Sequence, residues 1–300
     1  MRVVDLLTWG KEELKAHTDP GFSDVASPAL DAEVLLAHAM GVSKPELFSH
    51  LNETPSVEVA QNFRACVDRR LAHEPVAYIT GKKFFYNRAF AVSPAVLIPR
   101  PETETLIEEA LRVIRLYEEH HERIMLMDIG TGSGAIAVTL AAETHEKVWA
   151  SDLSAEAIAV ATENARTHHV LDQITFTTGN LLEPVLPLLR KHSPEHTLIT
   201  ANLPYLTRAQ WEEEVQQDIR DFEPRMALEA GVYGLDVYWL FARQLGKARA
   251  LLGTSCTILC EIDPSQEEKV PVLISEQFPP AEIRVLPDLS KRPRIVRAYL

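Results

Sequence analysis

The sequence predicts an α/β protein: a mostly parallel sheet covered by helices on both faces, preceded by a small helical region. Three observations carry this. From Glu102 onward, short apolar runs of strand length alternate with stretches of helical periodicity. A glycine-rich turn, Asp128-Ile129-Gly130-Thr131-Gly132-Ser133-Gly134, lies between one such strand and the helix that follows. Before residue 75 the spacing is helical throughout, with no strand pattern.

In that first region, Ser27-Pro28 predicts a helix start, a capping hydroxyl followed by proline at the first helical position. Leu30, Val34, Leu35 and Ala39 follow at helical spacing, and Gly41 ends the run. A further helix is expected from Ser56 to His73, with Val59, Phe63, Val67 and Leu71 on one face and Arg64, Asp68 and Arg69 elsewhere. No catalytic constellation occurs here, so residues 1–75 are expected to form a docking or packing module. Residues 76–101 change texture. Tyr78-Ile79-Thr80, Gly81-Lys82-Lys83, Phe84-Phe85-Tyr86 and Phe90-Ala91-Val92 suggest a hairpin-like connector that also lends residues to the active site. Pro94, Pro99 and Pro101 exclude a continuing helix there.

Residues 102–300 form the α/β domain. Helices are expected over Thr105–Tyr117, from the glycine turn to Ala142, over Ala155–His168 and over Tyr238–Leu252. Strands are expected at Ile124–Met127, Val148–Ala150, Ile174–Thr177, Leu198–Ala201, Cys256–Ile262, Ile283–Leu286 and Ile295–Leu300. Repeated alternation of this kind implies a parallel sheet buried on both faces.

Composition narrows the function classes. A formal net charge of −13 argues against a broad phosphate-binding surface, so direct nucleic-acid binding is not expected and a protein or small-molecule substrate is favoured. No run of 18 or more residues lacks charge, and the N-terminus shows no secretory signal, so no membrane association is expected. Cys66, Cys256 and Cys260 have no metal-ligand spacing. They read as small buried residues in a reducing cytoplasm, and no metal is expected. His120-His121 and His168-His169 read as solvent-exposed, Glu212-Glu213-Glu214 as a solvated helix face and Lys291-Arg292-Pro293-Arg294 as a turn.

The glycine turn is the strongest candidate for a ligand site. Glycines allow a tight turn and close approach of a ligand to the backbone, and the helix start behind them offers free N–H groups. Asp152 ends the next strand, 22 residues after Gly130, where an acidic side chain can hold ribose hydroxyls. The G-x-G-x-G spacing differs from the G-x-G-x-x-G of dinucleotide sites. Asp128 also disfavours a pyrophosphate, because like charges repel. The same carboxylate suits the cationic amino group of S-adenosylmethionine, directly or through water, and the set fits that cofactor.

After the fourth strand stands Asn202-Leu203-Pro204-Tyr205, at the carboxyl end of the sheet where chemistry is expected. A planar NH2 nucleophile has a delocalised lone pair that must localise before it can attack a methyl group. The Asn202 side-chain oxygen and the Leu203 carbonyl could each accept one N–H, orienting the nitrogen and stabilising its developing positive charge. Pro204 holds Leu203 extended and so presents its carbonyl. Tyr205 could pack on the flat group.

These residues bring out a resemblance to the glutamine methyltransferases that modify bacterial peptide release factors, the PrmC/HemK family, over nearly the whole length. It is carried by Asp31-Ala32-Glu33-Val34-Leu35-Leu36, Arg69-Arg70, Glu74-Pro75, Tyr78 to Gly81, the aromatic run Phe84 to Phe90, Leu97 to Glu104, Phe222-Glu223-Pro224, Ala227-Leu228 and Gly234-Leu235-Asp236. The stretch Ile98 to Glu104 is specific, whereas many methyltransferases share the cofactor turn. The resemblance implies a seven-stranded Rossmann-like methyltransferase domain over 102–300 with a helical N-terminal domain and a hairpin linker. It also implies N5-methylation of the glutamine in the Gly-Gly-Gln loop of class 1 release factors. Carried over by position, Gly130 to Gly134 and Asp152 would hold S-adenosylmethionine, with Asn180 and Leu181 by the adenine. Asn202 would touch cofactor and substrate, and Asn202 to Tyr205 would grip the amide.

Three positions depart from the family pattern. Leu203 stands at the first proline of Asn-Pro-Pro-Tyr, Asn180 where an acidic residue is common, and Asp263 at a usual glycine after Glu261-Ile262. Asn-Leu-Pro-Tyr is also similar to the motif of ribosomal RNA adenine dimethyltransferases, whose target is likewise a planar NH2, so an adenine N6-methyltransferase is one rival reading. A ribosomal-protein glutamine methyltransferase is another, and a binding protein without catalysis a third. Net charge and the connector speak against the RNA enzyme; Asp128, Asp152 and Asn202 speak against lost catalysis.

Overall fold

The computed structural model describes residues 1–17, 27–119, 124–279 and 281–300. His120-His121 lie outside the described residues. The chain divides into two compact units, Met1–Lys82 with Glu214–Glu223, and Lys83–Glu213 with Pro224–Leu300.

Helices Val3–Ala16, Pro28–Met40, Lys44–Ser49, Val57–Leu71 and Val76–Thr80 build the first unit, together with the later helix Gln217–Phe222. Gly41 ends Pro28–Met40 at φ +69°, the left-handed cap that its sequence position predicts. Ser56 caps Val57–Leu71, its hydroxyl accepting the Val59 N–H at 3.2 Å. Phe63 and Val67 are buried with Leu6, Leu35 and Leu36, while Arg64, Asp68 and Arg69 are exposed. This helix stops at Leu71, before the expected His73, which adopts φ +67°.

Arg70 is only 2% exposed. Its Nε donates to Asp31 at 2.9 Å, its Nη1 donates to the Glu74 carbonyl at 3.3 Å, and Asp218 lies 4.0 Å from Nη1. A buried guanidinium must be met by acceptors. Asp218 supplies one, and in doing so ties residues 214–223 to this unit. Tyr78-Ile79-Thr80, expected in the hairpin, is helical instead. Tyr78 and Ile79 are buried, and burial overrides their strand propensity. The unit therefore runs to Lys82, past the expected boundary at 75.

Strands β1 (Lys82–Phe85) and β2 (Arg88–Ala91) form the expected hairpin, closed by Tyr86 and Asn87 at φ +46° and +59°. The helix after it covers Glu104–Glu119. His168, expected in solvent, packs here: its Nε2 is 2.8 Å from the Ala89 carbonyl and its ring lies against Phe90.

Among the described residues, seven strands then form one sheet: β3 (Ile124–Ile129), β4 (Val148–Asp152), β5 (Ile174–Thr178), β6 (His196–Ala201), β7 (Ser255–Glu261), β8 (Glu282–Pro287) and β9 (Pro293–Tyr299). Their order is β5-β4-β3-β6-β7-β9-β8, with β8 and β9 antiparallel to their neighbours and the others parallel. This is the fold class that the alternation predicts. Side chains alternate between two cores: Met125, Met127, Ile129, Ile199, Cys256 and Ile258 on one face, and Leu126, Leu198, Leu259 and Ile295 on the other. All three cysteines are free and buried. No helix among the described residues is long and apolar enough to cross a membrane. From β3 the order runs outward to β5 and returns to the other side of β3 with β6, so the carboxyl ends of β3 and β6 flank the point where ligands bind in such sheets.

Candidate active site

Residue pairing brings the two sequence motifs together. Ile129 at the end of β3 is in register with Ala201 at the end of β6, so the glycine turn and Asn202 leave adjacent strands at the same level. A cavity of about 350 Å³ opens there, within the range that encloses a small ligand. Gly130, Thr131, Gly132, Ser133, Asp152, Asn180, Leu181, Asn202, Leu203 and Pro204 all line it. The connector contributes Leu97, Pro99, Arg100 and Thr103.

The turn is held by its own chain neighbourhood. Gly130 and Thr131 donate their N–H groups to the Ser151 carbonyl at 2.8 and 3.0 Å. Asp152 accepts the Gly132 N–H at 2.8 Å on Oδ2 and the Ser154 N–H at 2.9 Å on Oδ1. Gly130, Gly132 and Gly134 have φ of +76°, +55° and +79°, conformations that favour glycine. A Cβ on Gly132 would meet no atom within 4 Å, so this backbone is bare toward the cavity. Gly134 serves packing instead: a Cβ there would lie 3.0 Å from Ala161 Cβ.

Asp128 does not line the cavity. It is fully buried, accepting the Thr131 hydroxyl at 2.6 Å and the Thr200 hydroxyl at 2.9 Å. Burial pushes its pKa up to about 6 against those bonds. The expected contact with a ligand ammonium is thus not direct. Asp128 shapes the turn through Thr131. Burial also raises the Asp152 carboxyl, opposed by the N–H groups it accepts.

On the far wall, Asn180 lines the cavity and Leu181 adopts φ +52°. The Ser151 hydroxyl holds the Leu181 carbonyl at 2.8 Å, and Gln244 accepts the Leu182 N–H at 2.9 Å. These bonds keep a leucine in a conformation it seldom adopts.

Asn202 is oriented from behind. Its Nδ2 donates to Thr103 Oγ1 at 3.2 Å, which leaves Oδ1 turned away from Thr103. Among the described residues, nothing donates to Asn202 Oδ1 or to the Leu203 carbonyl. Burial pushes Glu261 up to about 7, countered by Thr103 and by the charges of Arg294 and Arg100.

Tyr205 is not a lining residue. Its N–H donates to the Leu228 carbonyl at 3.0 Å, its carbonyl accepts from Gln266 Nε2 at 3.1 Å, and its ring packs on the core. Asp263, the third departure from the family pattern, caps a short turn by accepting the Ser265 N–H at 2.9 Å. Sequence reasoning missed Thr103, Tyr238, Gln266 and Thr200. Of these only Thr103 stood in a segment already singled out.

Comparison with known proteins agrees with this layout. The profile of the PrmC N-terminal domain matches residues 5–81, and that of a methyltransferase domain matches residues 126–221. The release factor glutamine methyltransferase of Bacillus cereus is 33% identical over 303 residues, spanning 100% of both chains. That of Bacillus subtilis is 33% identical, covering 99% of this chain and 98% of its own length. That of Nitratidesulfovibrio vulgaris is 40% identical over 77% of this chain and 73% of its own. Among solved structures, the hMettl16 catalytic domain in complex with a MAT2A 3′UTR hairpin has a TM-score of 0.53 at 12% identity, covering 82% of this chain and 92% of that one. This last likeness concerns fold alone. With full-length relatives at this level of identity, a shared N-terminal domain and a methyltransferase domain around the cavity, the chain belongs to the release factor glutamine methyltransferase family of enzymes.

Proposed function

We propose that the protein uses S-adenosylmethionine to methylate N5 of the glutamine in the Gly-Gly-Gln loop of class 1 peptide release factors. The observation that carries this is the pair of unengaged acceptors, Asn202 Oδ1 and the Leu203 carbonyl, on consecutive residues lining the cavity. Two acceptors suit the two N–H bonds of a primary amide. With both N–H groups taken, the nitrogen is turned so that its lone pair faces the methyl donor. As the lone pair is drawn out of conjugation, positive charge grows on nitrogen and both acceptors stabilise it. One proton leaves as the methyl arrives, so no strong base is required beforehand. The net charge of −13 favours a protein over a nucleic-acid substrate.

The residues present fit the cofactor. Gly132 presents bare backbone to a cavity of ligand size, and Asp152 stands beside it with a carboxylate able to accept ribose hydroxyls. Asn180 and Leu181 would flank the adenine. When bound, S-adenosylmethionine supplies a methyl group activated by a sulfonium. Asp128, through Thr131, keeps the turn in the shape that receives it.

The test is methyl transfer from labelled S-adenosylmethionine with purified release factor, ribosomal protein and ribosomal RNA offered in parallel. Label is expected on the Gly-Gly-Gln glutamine. Label on ribosomal protein alone would move the reading to a sister glutamine methyltransferase, and label on RNA alone to an adenine methyltransferase.

A further inference from the structure

Leu203 occupies a position where the direction of one carbonyl matters, yet leucine leaves φ free. Pro204 restricts the far side of the residue. On the near side, the Leu203 N–H donates to the Tyr238 hydroxyl at 3.4 Å. Tyr238 lies on the helix Asp236–Ala248, is 1% exposed, and donates its own proton to the Glu261 carbonyl at the end of β7. Burial drives the phenol pKa well upward, so the hydroxyl keeps its single proton. With that proton given to Glu261, the phenol oxygen serves Leu203 only as an acceptor. The Leu203 side chain is buried as well. A Cβ on Gly130 would lie 2.9 Å from Leu203 Cδ2, so the leucine packs directly on the cofactor turn.

We propose that Tyr238 is a positioning residue for methyl transfer: its hydroxyl ties the Leu203 amide to the end of β7 and so fixes the direction of the Leu203 carbonyl. The inference rests on reading that carbonyl as an acceptor for the substrate amide. Tyr238 does not line the cavity and, on this reading, acts only through Leu203. A proline at 203 would fix φ through its ring but would have no N–H for Tyr238. The two devices are therefore alternatives, and removing one should make the other irrelevant.

A double-mutant cycle tests this, with kcat and KM for purified release factor and the dissociation constant for S-adenosylmethionine measured on Tyr238→Phe, Leu203→Pro and the double variant. Tyr238→Phe is expected to lower kcat about five- to tenfold, the scale of one neutral hydrogen bond, while leaving cofactor affinity within about twofold. In the Leu203→Pro background, the same change is expected to alter kcat by less than about twofold. Equal losses in both backgrounds would show that Tyr238 acts through packing and would overturn the proposal. So would an unchanged kcat for Tyr238→Phe. If the wild type methylates no release factor, the functional reading fails, and hydrogen exchange at the Leu203 amide then decides the anchor by itself. Exchange at least about tenfold faster in Tyr238→Phe is expected, and an unchanged rate would overturn the anchor.

Discussion

The glycine turn and the Asn202–Tyr205 loop face the same cavity but are built on opposite plans. Most polar contacts that shape the turn span little sequence, Thr131 to Asp128 over three residues and Gly132 to Asp152 over 20, although Thr200 reaches Asp128 over 72. The acceptor loop is held from far away, Asn202 by Thr103 over 99 residues, Leu203 by Tyr238 over 35, and Tyr205 by Gln266 over 61. On the proposed reading, a site that receives a common cofactor can be encoded in one strand-turn-helix unit, whereas a site that aims two acceptors at one nitrogen draws on the whole sheet.

Three measurements test that contrast. The largest effect is expected for Asn202→Ala, with kcat falling ~100- to 1,000-fold for one lost preorganised contact and cofactor affinity nearly unchanged. A matching loss of cofactor affinity would merge the two regions into one functional unit. Next comes Asp128, whose carboxyl titrates near 3.8 in the unfolded chain and at about 6 in the folded one. A raised folded pKa gives stability that is complete below about pH 4 and lost as pH rises through about 6, on the order of 3 kcal/mol. Asp128→Asn should flatten that slope in urea unfolding followed between pH 4 and 7. Equal slopes in the two proteins would mean that another group titrates. The smallest effect is expected for Asp152→Ala, about a tenfold weaker cofactor complex from one lost charge-assisted bond, read by calorimetry. An unchanged dissociation constant would remove Asp152 from the cofactor site.

The same contrast explains what the sequence made legible. Strands β3, β6 and β7 read as apolar runs, because a buried parallel sheet writes its pattern directly into the chain, whereas edge strand β8 has no buried residue and shows only alternation. The cavity-lining residues of the turn, with Asp152, Asn180 and Leu181, are found by local spacing or by resemblance. Thr103, Tyr238 and Gln266 are ordinary polar residues whose roles exist only once strands β6 and β7 lie side by side. Asp128 and Tyr205 stand in the motifs but do not line the cavity: Asp128 is fully buried against Thr131 and Thr200, and Tyr205 is partly buried against the core. Tyr78 to Thr80 look like strand and fold as helix, because burial against the first unit's core outweighs local propensity.

Arg70 has a consequence for the order of folding. Of its carboxylate neighbours, Asp31 precedes it in the chain and Asp218 is synthesised 148 residues after it. As the polypeptide emerges, the first five helices can gather around their apolar core early, with the Arg70 guanidinium held by Asp31 and the Glu74 carbonyl but without the charge of Asp218. Completion waits until most of the catalytic unit has also been made. A nascent chain cut short before residue 218 would bury that guanidinium without the charge of Asp218.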